Sequence, residues 1–274
     1  MRIKLLVEYD GSAYCGWQAQ ENGPSIQGEL EAALKKATGE ERRIIGAGRT
    51  DAGVHALGQC AHFDTQARIP ADKFSFVFNR FLPPDIRVKS SCQVPEDFHA
   101  RKSAKGKHYR YAIYNGRHNC AIGRQTCAHV PVLLQEDLMY RAGQYLVGKH
   151  DFGAFKAEGS NLVGTVRTVY ALCVRRQGEM VYLDIFGDGF LYNMVRIIAG
   201  TLIDVGKRKY PPERVLEILH SRDRRNAGPT AVARGLCMVE VFYQEGQARR
   251  EGENIALLQA QNAKNPLDIG FFLG

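Results

Sequence analysis

The 274-residue chain is 45% hydrophobic and has 37 Lys and Arg against 29 Asp and Glu, a formal net charge of +8. Such a chain can bury a proper core in one large domain or two medium ones, and its positive surplus suits either a polyanion partner or a protein that is simply basic. Its seven cysteines (Cys15, Cys60, Cys92, Cys120, Cys127, Cys173 and Cys237) form no C-x-x-C pair and are odd in number. This argues against a disulfide framework and a structural zinc site, and it fits a reducing, cytoplasmic setting. The chain starts straight into an alternating pattern rather than the apolar run of a signal peptide, and no stretch approaches the length of a membrane span.

Ile3, Leu5 and Val7 alternate with Arg2, Lys4 and Leu6, which predicts a strand. After the polar stretch ending in Asn22-Gly23-Pro24-Ser25, Ser25 is a good N-cap. Ile26, Leu30, Ala33, Leu34 and Ala37 then make one helical face, ending at Gly39. Ile44-Ile45 marks a short strand entering the loop 46–53, and a longer strand covers about His55 to Asp64. Phe74, Val77, Phe78 and Phe81 form a second helical stripe stopped by Pro83-Pro84, and Ile86 and Val88 begin another strand. The order β-α-β-β-α-β is the split ferredoxin-like unit.

The second half repeats that order. A strand covers about Lys107 to Tyr114, a helix Leu134 to Val147, and two strands about 165–175 and 180–186 around the Gln177-Gly178 turn. A helix from Phe190 to Val205, a short helix at Pro211-Pro212 and a strand near 235–243 follow. The expected fold is therefore α/β, of the α+β kind: two ferredoxin-like units, 1–103 and 104–246, whose antiparallel sheets join. Helices would cover one face and leave the other free for a ligand. The tail 247–274 is polar, then apolar at Ile269–Leu273.

The most unusual segment is Gly46-Ala47-Gly48-Arg49-Thr50-Asp51-Ala52-Gly53-Val54-His55, between two strands. Its glycines permit tight backbone and a close ligand. Asp51 reads either as a nucleophile or general base, or as a turn aspartate bonding its own backbone with Arg49 a solvated neighbour. A phosphate-cradling loop lacks its Lys-Ser/Thr ending here. A second cluster, Arg101 to Tyr111, interleaves basic residues with aromatics as RNA binding requires, although a basic linker would look the same. In Phe190-Leu191-Tyr192-Asn193-Met194-Val195-Arg196, a cation sits within an apolar helix. Arg196 either faces water or, on the core stripe, needs an anionic partner. Lys207-Arg208-Lys209 and Arg222 to Arg225 extend a positive surface or form solvated loops. His150-Asp151-Phe152 lacks a third ligand at metal spacing and reads as a polar knot closing a loop.

Together these residues resemble the TruA-type transfer RNA pseudouridine synthases. Gly48-Arg49-Thr50-Asp51-Ala52-Gly53-Val54-His55 is similar to the family's signature loop. Tyr9-Asp10-Gly11 with Gly16 to Gln20, Phe98 to Arg101 with Tyr109-Arg110-Tyr111, Gly148 to Phe152, Phe190 to Arg196, and Gly235-Leu236 follow in the same order, covering about residues 3 to 243. The resemblance implies an isomerase in which Asp51 is the essential aspartate. It further implies that Tyr109 stacks on the target base, Arg196 pairs with the aspartate, Leu236 packs against the base, and Arg49 holds RNA and helps extrude the nucleotide. It implies no cofactor, a homodimer with one tRNA spanning both subunits, and targets on the 3′ side of the anticodon stem-loop. Cys237-Met238 departs from the more usual Tyr-Leu, and Val232 from a common proline; by motif order both lie near the pocket wall.

The expected chemistry needs the target base out of its stack, received on the free sheet face with Tyr109 replacing a lost stacking partner. Arg196 would depress the Asp51 pKa and orient the carboxylate by a bidentate pair. Two competing readings make different predictions. A non-catalytic protein of paired RRM-like units calls for an RNP aromatic pattern that the sequence lacks. A hydrolase using Asp51, His55 and Asp151, with or without a metal, calls for a compact ligand set that it also lacks.

Overall fold

The computed structural model describes residues 1–20, 23–159 and 164–264; Asn22 and the apolar run 269–273 lie outside them. The first unit contains β1 (Arg2–Tyr9), α1 (Ile26–Thr38), β2 (Ile45–Gly46), β3 (His55–Asp64), α2 (Phe74–Asn79) and β4 (Ile86–Val94). The second contains β5 (Gly106–Tyr114), β6 (Ala128–His129), α3 (Glu136–Gln144), β7 (Gly148–Asp151), β8 (Val166–Gln177), β9 (Met180–Gly187), α4 (Met194–Gly206), α5 (Arg214–Ser221) and β10 (Leu236–Phe242), followed by α6 (Gln247–Lys264).

Local chemistry accounts for the helix limits. The Ser25 hydroxyl accepts from the Gly28 N–H at 3.2 Å, and Gly39, at φ +75°, closes α1. Phe74 and Phe78 of α2 are fully buried, each burial stabilising by about 1.5–3 kcal/mol, and both meet Phe63 edge-on. Phe81, expected on the same stripe, lies past the helix end and is exposed. The helix expected from Phe190 starts only at Met194. Asn193 has left-handed backbone (φ +58°), which an α-helix cannot continue through.

The two sheets are one, in the order β4-β1-β3-β10-β5-β9-β8-β7, with β2 on β3 and β6 on β5. β3 is long enough to serve both units. Its end at Ala61–His62 pairs with β2, while His55 and Ala56 pair in parallel with Cys237 and Met238 of β10. All the other pairings along that order are antiparallel.

Alternation sorts the faces. Ile3, Leu5, Val7 and Tyr9, then Tyr109, Tyr111 and Ile113, then Val181, Leu183 and Ile185 join the buried side chains of α1 to α5 in the main core. The opposite face is not left free, contrary to expectation. There α6 lays Ala248 and Ile255 against Ala171, Phe186 and Phe242. Gly252 permits the approach, since a Cβ there would stand 2.7 Å from the Ala171 Cβ. β7 was also unexpected: Lys149-His150-Asp151 is an edge strand paired to β8. Among the described residues no helix is long and apolar enough to cross a membrane.

Candidate active site

The segment leading out of β1 shapes the loop 47–54. Gly16, at φ +99°, lets the chain pass against Thr50, and the Trp17 N–H donates to the Thr50 carbonyl at 3.0 Å. The Gly53 N–H reaches the Tyr14 carbonyl at 3.3 Å, and the Ala47 N–H the Cys60 carbonyl at 2.7 Å. The Gln59 amide, fully buried on β3, donates to the Gly48 carbonyl at 2.9 Å, leaving its own oxygen without a partner among the described residues. Tyr9 and Thr50 share a buried hydroxyl–hydroxyl bond of 2.8 Å. The Trp17 ring lies where a Cβ on Gly46 would stand. The 9–11 and 16–20 motifs thus brace a loop many residues downstream.

That loop brings Asp51 to Arg196. Arg196 Nη1 lies 3.5 Å from the Asp51 carboxylate, and the two side chains are 17% and 27% exposed. The backbone carbonyl of Asp51 closes a turn with the Val54 N–H at 3.1 Å. Its carboxylate turns instead to Arg196, so the turn-aspartate reading does not describe this side chain. Arg196 is itself positioned: Nε donates to the Ala231 carbonyl and Nη1 to the Asn193 side chain, both at 2.8 Å. The left-handed Asn193 that delays α4 therefore also aims its arginine.

The expected fork between the pair does not form, because Ala231 and Asn193 take the better guanidinium geometry and Asp51 keeps one long contact. The expected pKa direction also changes. Burial raises the Asp51 carboxyl; the Arg196 charge and hydrogen bond oppose this without overcoming it, and the group sits above 3.8.

Tyr109 is buried beside them, edge-on to Phe190 at 5.3 Å. Burial, with Tyr9 and Asp51 adding, pushes its phenol well above the usual range, so it stays neutral. Leu236 and Met238 face the same way from β10, opposite Tyr111 and Tyr109. Asp51, Arg196, Tyr109 and Leu236 therefore gather on the helix-bearing side over the β3–β10–β5 seam. This corrects the expectation of a site on a free face. The site, termed the cleft below, lies where the loop of the first unit and α4 of the second bring Asp51 and Arg196 together, both part-exposed.

Arg49 stands exposed at the loop tip with no protein partner among the described residues. Cys237, expected at the pocket wall, faces the other way and lines a cavity of about 290 Å³ with Glu8, Leu57 and Arg110. Burial pushes its thiol up to about 12. Val232 is exposed, though its carbonyl accepts from the Tyr111 hydroxyl at 2.9 Å.

The alternative acid–base set does not assemble. His55 meets the Gly11 N–H and the Asp10 carboxylate at its Nδ1, both at 3.1 Å, and turns Nε2 to the Arg234 carbonyl at 3.2 Å, so it braces the loop. Asp151 accepts from the Gly153 N–H and pairs with Arg222 at 3.2 Å, the closing knot expected of it. Among the described residues no three His, Cys, Asp or Glu could hold a metal. Sequence reasoning named Tyr9, Thr50 and Asn193 only as members of their motifs and passed over Gln59; their contacts appear only in the fold.

A family model described as tRNA pseudouridine synthase matches residues 5–101 and 142–244. These segments contain Arg49, Asp51, Arg196 and Leu236, and Tyr109 lies between them. The chain is 50% identical over 241 residues to the tRNA pseudouridine synthase A of Acetivibrio thermocellus, covering 88% of this chain and 99% of that protein. It is 49% identical over 243 residues to the protein of the same name from Ruminiclostridium cellulolyticum, and 48% identical over 243 residues to that from Moorella thermoacetica, with the same coverage.

Proposed function

The chain belongs to the tRNA pseudouridine synthase family, and from that premise we propose that its cleft isomerises uridine to pseudouridine in tRNA with Asp51 as the catalytic carboxylate. The carrying observation is the Asp51 carboxylate itself, part-buried on a braced loop, with Arg196 at 3.5 Å and the neutral Tyr109 ring alongside. A carboxylate so poorly satisfied and so firmly placed is suited to chemistry rather than to holding the fold together.

The reaction breaks the N1–C1′ bond and forms C5–C1′. C5 loses its proton and N1 gains one, so substrate and product are isomers. The nucleotide must leave its stack to reach the cleft. Arg49, exposed at the loop tip, holds RNA and helps extrude the nucleotide, Tyr109 takes the base as a new stacking partner, and Leu236 packs against it. Asp51 then attacks the base, attacks C1′, or removes a proton from the sugar. All three routes use the same ionised carboxylate, and Arg196 stabilises that ionised form against burial. The targets are uridines on the 3′ side of the anticodon stem-loop, and the enzyme works in the cytoplasm as a homodimer with one tRNA spanning both subunits, without a cofactor.

The experiment is tritium release from tRNA labelled at uridine C5, without added metal or cofactor, comparing the wild type with Asp51→Ala. Release by the wild type that is lost in the variant is expected. Binding of tRNA with no release from any tRNA tested would replace the enzyme with an RNA-binding module.

A further inference from the structure

Lys107 lies on β5 two residues before Tyr109, so both side chains lie on the same face of the sheet, the face of the Asp51 loop. Its Nζ rests against the loop of Asp51: a Cβ on Gly48 would stand 3.0 Å from Nζ and 3.3 Å from Met238 Cε. The side chain is largely covered, yet among the described residues its ammonium has no carboxylate in ion-pair range and donates no hydrogen bond. The charges that reach it belong to Arg101 and Arg167, both positive. Burial first, then those two cations, bring its pKa down to about 8. Among the described residues, no acid offsets these positive charges at Lys107. A lysine left this way lowers stability unless an anion arrives to meet it.

The geometry points to Lys107, flanked by Arg101 and Arg167, as the seat of an RNA backbone phosphate next to the nucleotide that enters the cleft. This rests on the tRNA reading of the cleft given above. Phosphates position a nucleic acid without reading its sequence, and a lysine serves as a point charge for one. Placed between Gly48 and Tyr109, the phosphate fixes the nucleotide's backbone while its base meets the ring. Gly48 keeps the seat open, because a side chain there would crowd the ammonium. Arg101 is exposed, and Arg167 Nη1 donates to the Val166 carbonyl at 2.6 Å, leaving further guanidinium donors for a phosphate.

The test compares the wild type, Lys107→Met and Lys107→Arg for binding of an unmodified tRNA transcript over a range of salt, for tritium release, and for thermal unfolding. Lys107→Met is expected to bind on the order of tenfold more weakly, with a slope of log affinity against log salt smaller by about one. Its unfolding midpoint should be no lower than the wild type's, because an unpaired, largely buried charge has gone. Lys107→Arg should keep the slope. Unchanged affinity and slope in a folded Lys107→Met, with an active wild type, overturn the assignment of Lys107 alone. A lower midpoint with weaker binding but an unchanged slope also overturns it and makes the lysine structural. If Lys107→Met does not fold, Lys107→Gln is read by the same criteria. A wild type that neither binds tRNA nor releases tritium overturns the reading of the cleft itself.

Discussion

Asp184 and Asp51 are both carboxylates with arginine partners, and they differ in how completely they are satisfied. Asp184, fully buried on the face of the sheet that α6 partly covers, takes hydrogen bonds from His108 at 2.7 Å and Arg110 at 2.8 Å, with Arg175 at 3.4 Å. Burial works against its ionisation, but these donors prevail and hold the carboxyl at about 2. Arg110 and Arg175 in turn lie over the Tyr182 ring. Asp51, in the cleft on the other face, is less deeply buried yet has one contact at 3.5 Å, and its pKa moves up. A carboxylate that anchors a fold is saturated with donors; one kept for chemistry retains lone pairs for the substrate.

Replacing each carboxylate should separate these roles. Asp51→Asn should lower turnover by roughly 10³-fold or more without lowering the unfolding midpoint, measured by single-turnover product formation and by calorimetry. A group whose folded pKa is raised adds stability only below its unfolded value and loses it as pH rises, so at neutral pH the ionised Asp51 costs stability. Asp184→Ala should reverse the pattern, costing about 1–3 kcal/mol because the buried His108 and the part-exposed Arg110 and Arg175 lose their acceptor. Denaturant titration checks this, and activity per folded molecule should persist. Arg196→Lys should reduce turnover roughly 10- to 100-fold, since an ammonium cannot serve the Ala231 carbonyl, Asn193 and Asp51 from one planar group.

The smallest expected effects are those of pH. The acid limb of kcat/KM should fall above 3.8, and Arg196→Met should move it higher. Asp184, with its depressed pKa, contributes stability above the unfolded value of 3.8 that is lost as pH falls toward about 2. Acid unfolding in that window should shrink in Asp184→Asn and stay unchanged in Asp51→Asn.

The sequence made α1 legible through Ser25 and Gly39, and it made the signature loop legible because few other loops set Arg49 and Asp51 between glycines. It did not reveal which side of the sheet the loop serves. Alternation groups Tyr109 with Tyr111 and Ile113, but it is silent on where the loop of the first unit meets α4 of the second. Helix α6 escaped notice because its sequence is mostly polar and, among the side chains described, it buries little beyond Ala248, Gly252 and Ile255. β7 escaped because a four-residue polar edge strand looks like a loop. The loosened Asp51–Arg196 pair depends on Ala231 and Asn193, whose claims on the guanidinium appear only once the chain is folded.

Tritium release from C5-labelled tRNA by Asp51→Asn and Asp184→Asn, side by side at matched folded fraction, tests the central claim most directly. Release lost in Asp51→Asn and kept in Asp184→Asn is the predicted result. Release kept in Asp51→Asn, or lost equally in both, would contradict the assignment of the chemistry to the cleft carboxylate.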